Sequence, residues 1–120
     1  MINNVLFESI KENFISILER KSSLPVDTEE LFVDYSTALD HRFEKYLDLL
    51  RVQAMLLTSA KNQGDELAMQ SALLRLRAHA MSLSSFFNAI VEDAEIILRL
   101  ETWPELPEGY KLPEYYNAPD

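Results

Sequence analysis

At 120 residues, with a net charge of -9, no cysteine and only two glycines, the chain has room for one domain and lacks the tight turns of a β-sandwich or barrel. Its hydrophobic content of 48% argues against disorder throughout, and the missing cysteines exclude disulfides, thiolate nucleophiles and thiolate metal sites. The negative charge opposes direct binding to nucleic-acid phosphates or anionic lipid.

The start MINNVLFESIKENF has no basic region ahead of an apolar run, and no 18-residue stretch is free of charge. Neither a signal peptide nor a membrane span is expected, and the protein is expected in the cytoplasm. Leu6/Phe7, Ile10, Phe14 and Ile17/Leu18 recur every three to four residues, which predicts a helix over residues ~4–22. Asn3 or Asn4 would cap it, and Ser22-Ser23-Leu24-Pro25 would stop it.

A second helix is predicted over ~28–62, opening at Asp27-Thr28-Glu29-Glu30, which resembles a capping box. Phe32, Tyr35, Leu39, Phe43, Tyr46/Leu47, Leu50, Ala54 and Leu57 keep helical spacing up to Gly64, a natural C-terminal cap. Unbroken, it would be about 50 Å long, with a kink most easily placed at Ser36-Thr37. Asp65 can cap a third helix over ~66–101, where Met69, Leu73, Leu76, Ala80, Leu83, Phe87, Ile90/Val91, Ala94 and Ile97/Leu98 continue the pattern until Pro104.

The short link at Gly64 makes the second and third helices antiparallel neighbours. The fold class is therefore all-α: a long antiparallel αα-hairpin with a shorter N-terminal helix. Between Leu67 and Val91 no acidic residue occurs, and the only strong charges are Arg75 and Arg77. A helix packed on one side should carry a charged opposite face, so this one needs neighbours on two sides. A second copy of the chain would supply the cover, and Leu74, Met81, Phe86 and Ala89 are the residues expected at a homodimer interface.

Residues 1–101 thus form the helical bundle domain and residues 102–120 an extended tail. The tail holds four of the five prolines, and the phrases Leu-Pro-Glu-Gly-Tyr and Leu-Pro-Glu-Tyr-Tyr begin six residues apart. That spacing suits a polyproline-like segment lying on a surface, either of the protein itself or of another. Trp103, Tyr110, Tyr115 and Tyr116 are its candidate partner-binding residues. In sequence order the charge is -1 over residues 1–27, -2 over 28–63, -3 over 64–101 and -3 over 102–120. So even a spread argues against a dedicated nucleic-acid mimic.

Candidate chemistry is sparse. His41 and His79 stand alone, with no Glu-x-x-His pairing of the kind that holds metals in helical bundles. Glu92-Asp93-Ala94-Glu95 resembles the Glu-x-x-Glu magnesium spacing of all-α nucleotide pyrophosphohydrolases, but its expected partner motif is missing. Glu95 and Arg99 read as an i,i+4 ion pair. Arg75, Arg77 and His79 form the one basic cluster of the third helix, placed to meet a carboxylate across a dimer or from the tail. No catalytic residue, metal site or cofactor is assigned. The expectation is a non-enzymatic, homodimeric protein-interaction module (an adaptor, inhibitor, immunity protein or small chaperone) with a protein partner, no direct nucleic-acid contact and no membrane contact. The alternatives are a magnesium-dependent hydrolase using Asp40, Glu44, Glu92 and Glu95, and an acidic nucleic-acid mimic.

Overall fold

Gly64, in the left-handed conformation at φ +67°, turns the chain between two long helices that pack against each other. The computed structural model describes residues 5–117, which are all-helical with no strand among them. Helix α1 spans Leu6–Lys21, α2 spans Leu39–Gln63 and α3 spans Glu66–Leu98; short 3-10 turns occupy Thr28–Glu30 and Glu114–Tyr116. Asp65 caps α3 by accepting the Ala68 N–H at 3.1 Å. The candidate caps Asn3 and Asn4 lie outside the described residues. None of the helices is long and apolar enough to cross a membrane, among the described residues.

The second helix begins at Leu39 and not near residue 28, which corrects the expectation of an unbroken ~28–62 helix. Asp27 does act as a cap, accepting the Glu29 N–H at 3.0 Å, but it closes only a single 3-10 turn. The backbone N–H groups of Phe32 and Val33 are then drawn to the carboxylate of Asp93 on α3, at 2.7 and 2.9 Å. Asp34 takes the Ser36 N–H and hydroxyl. These side-chain acceptors hold the donors that a continuing helix would need, so the segment stays irregular until residue 38.

Helices α1 and α2 lack side-chain caps of their own and cap each other. Asp40 on α2 accepts the Phe7 and Glu8 N–H groups at 3.0 and 2.9 Å. Glu8 on α1 accepts the Leu39 N–H at 3.0 Å. Lys11 binds Glu8 at 2.9 Å and donates to the carbonyls of Tyr35 and Thr37. Each carboxylate sits at the positive end of the other helix, where charge and orphan donors favour it.

Phe7, Val33 and Leu39 form the buried core, ringed by Phe43, Phe86 and Ile90. The Phe7 ring lies 4.9 Å from both Phe43 and Phe86, and meets Phe86 edge-on. This core sits at one end of the molecule, the base. From residue 49 to residue 81 only Gln53, Ala60 and Ala72 are buried, so the outer part of the hairpin projects as a two-helix arm. The radius of gyration is 19.8 Å, against about 14 Å for a compact chain of this length.

Tyr35 makes the base sensitive to alkali. Its hydroxyl donates to Asp93 at 2.8 Å, and burial, then the adjacent carboxylate, push the phenol above its ordinary value. The folded state therefore holds this proton more tightly than the unfolded chain does. The resulting stabilisation is intact below about pH 10 and is lost as pH rises past it. The melting temperature should fall more steeply above that pH in the wild type than in Tyr35→Phe; parallel curves would remove Tyr35 as the cause.

Candidate protein-interaction surfaces

Two carboxylates of the base, Asp93 and Asp40, are committed to structure. Asp93 is 0% exposed, and its two oxygens accept Phe32 N–H, Val33 N–H and the Tyr35 hydroxyl. Asp40 is occupied by the α1 N-terminus. Glu44 is exposed, and Glu95 pairs with Arg99 at 3.2 Å, the ion pair read from the sequence. Among the described residues no three His, Asp or Glu side chains come together in a group that could hold a metal ion. His41 is exposed and His79 half-buried, on different helices.

The tail is anchored at one point and open beyond it. Trp103 donates its indole N–H to the Ile97 carbonyl at 2.7 Å, and the Lys21 ammonium lies 4.6 Å over its ring. Lys21 and Thr102 exchange hydrogen bonds, each 3.2 Å from side chain to main chain. Trp103 thus fixes where the tail departs from α1 and α3. Each repeated phrase closes a turn, Tyr110 N–H reaching the Pro107 carbonyl and Tyr116 N–H the Pro113 carbonyl, the second within the 3-10 turn Glu114–Tyr116. Gly109, at φ +71°, lets the first turn adopt a conformation that L side chains disfavour. Tyr110, Tyr115 and Tyr116 are all exposed, Tyr115 at 78%, with the last two rings 4.5 Å apart.

A second surface is the arm. Leu74 and Met81, expected at an interface, are 57% and 62% exposed, and Val52, Met55, Leu67 and Leu73 join them. Phe86 and Ala89 differ: both are half-buried against the core of their own chain, because α1 and the 31–37 segment cover that part of α3. Arg75 and Arg77 are exposed and have no ion-pair partner among the described residues. Where arm meets base, a groove of about 400 Å³ opens between Phe32, Arg42, Tyr46, Met81 and Ser85. Arg42 is held there by Asp34 at 3.3 Å.

Trp103 is legible in the sequence as a surface-seeking tail residue and is seated on its own chain, whereas the sequence reading misses the role of Asp93. Asp93 carries a signal, since it falls three residues after Ile90 and four before Ile97, on the buried face of α3. Its contacts with Phe32 and Val33, about sixty positions away, carry none.

Compared with known proteins, the chain matches no protein family, no curated protein and no solved structure.

Proposed function

We propose that this chain is a protein-interaction module that works as a helical homodimer and captures a protein partner with its tail. One observation carries the reading: a tail fixed at Trp103 presents Tyr110, Tyr115 and Tyr116 to solvent on two hydrogen-bonded turns. Aromatic side chains with polar tips are strong anchors at interfaces, since they bury a large area for few rotatable bonds. Fixing the tail's point of departure also limits the entropy lost when a partner orders it. Trp103 serves as the hinge post of this surface, with Tyr110, Tyr115 and Tyr116 as the contact residues.

Affinity capture from the source cells should yield a partner in fixed ratio to the bait. The double variant Tyr115→Ala/Tyr116→Ala should lose that partner by about tenfold or more while its helical circular dichroism stays unchanged. Equal recovery by the wild type and the variant would refute the tail as the capture surface.

A further inference from the structure

Charge is divided unequally between the two ends of the molecule. The arm, residues 49–81, carries Arg51, Lys61, Arg75 and Arg77 against Asp65 and Glu66, a net +2. The rest of the chain therefore carries -11. A basic, apolar arm thus projects from a strongly acidic base. Along α3, exposed Leu74 and Met81 lead into Ser84 and Ser85, also exposed, with Met81 and Ser85 bordering the groove that Arg42 and Tyr46 of α2 share. Arg77 stands seven residues before Ser84 and Glu92 seven after Ser85, and neither has an ion-pair partner among the described residues.

We propose that two copies of the chain pack α3 against α3 in antiparallel fashion, crossing at Ser84–Ser85, so that Arg77 of each copy pairs with Glu92 of the other. This deepens the homodimer reading and rests on it. An isologous contact needs each element on one side of the two-fold axis to meet its complement on the other. The equal spacing of Arg77 and Glu92 about the serine pair meets that condition. Small side chains at the crossing let the helix backbones approach closely. Leu74 and Met81 are carried onto the second copy and removed from water. A parallel pairing would set arm on arm and Arg77 on Arg77, with the acidic bases side by side. The antiparallel one lays each basic arm along an acidic base.

The test is a charge-swap series on the full chain by sedimentation at low salt, with single-cysteine cross-linking in a protein that has no cysteine of its own. Arg77→Glu and Glu92→Arg should each weaken the dimer about tenfold or more, and the two together in one chain should restore it. Ser85→Cys should form a disulfide-linked dimer under copper-phenanthroline oxidation. Leu67→Cys should not, because its two copies would lie about 50 Å apart at about 1.5 Å per residue. A wild-type dimer whose charge swap fails to restore association, or which cross-links through Leu67→Cys, overturns the antiparallel arrangement and leaves the homodimer standing. A wild-type chain that sediments as a monomer at every concentration overturns both.

Discussion

Asp93→Ala is expected to lower the free energy of unfolding by about 3–5 kcal/mol and the melting temperature by roughly 10–20 °C. The carboxylate is fully buried and holds two backbone N–H groups and one hydroxyl. Alanine leaves the buried Val33 N–H without its acceptor, and the part-buried Phe32 N–H and Tyr35 hydroxyl as well. Each stranded donor costs about 1–3 kcal/mol, whereas an intact hydrogen bond adds only about 1 kcal/mol net. Asp93→Asn keeps one carbonyl oxygen but turns an amide donor toward other donors, so its loss should fall between wild type and alanine. Thermal melts at one fixed protein concentration read this directly, and a loss below about 1 kcal/mol would show that the site relaxes or admits water.

Phe7→Ala should cost about 3–5 kcal/mol, the range for deleting a fully packed ring from a core. Phe7 is 3% exposed and touches Phe43, Phe86 and Phe87, so it joins α1 to both long helices. What remains to hold α1 is its end caps, the Lys11 bonds to the Tyr35 and Thr37 carbonyls, the packing of Ile10 and Leu18, and the Lys21–Thr102 contact. Limited proteolysis should therefore cut the variant faster between residues 22 and 38 than it cuts the wild type. Phe7→Leu, which conserves most of the volume, should lose less than about 1.5 kcal/mol. A Phe7→Ala variant as stable and as resistant as wild type would mean that the ring cluster does not hold α1 in place.

Local signals were legible and long-range ones were not. Gly64 and Asp65 ended and began helices where turn and cap chemistry says they should, and Glu95–Arg99 formed the ion pair that their spacing implies. Phe32, Tyr35 and Leu39 kept a helical rhythm, yet only Leu39 lies in α2. Tyr35 and Leu39 do reach the core around α3, but Val33, off that rhythm, enters it in place of Phe32, which is 60% exposed. What decides the backbone there is Asp93, some sixty positions away, and no local pattern contains it. The interaction surfaces divide in the same way. The aromatic tail showed in its composition, but its fixing by Lys21 joins residues 81 positions apart. Charge counted over 28–63 and 64–101 looked evenly spread because that division cuts the arm, residues 49–81, in two at Gly64. The helical rhythm alone does not mark those residues as one projecting unit with few buried side chains.

The separation between the two ends of the hairpin also sets an order of assembly. The α2–α3 contacts nearest Gly64 close short loops, whereas the Asp40–Phe7 bond closes 33 residues and the Asp93–Phe32 bond 61. Loop-closure entropy has to be met before a distant contact can reward it, so the arm forms early and the base forms around it. Contacts made after the barrier govern how fast a structure comes apart, not how fast it forms. The Asp93 clasp should then act as a latch on the native state: loosening it is expected to raise the unfolding rate while leaving the refolding rate nearly unchanged.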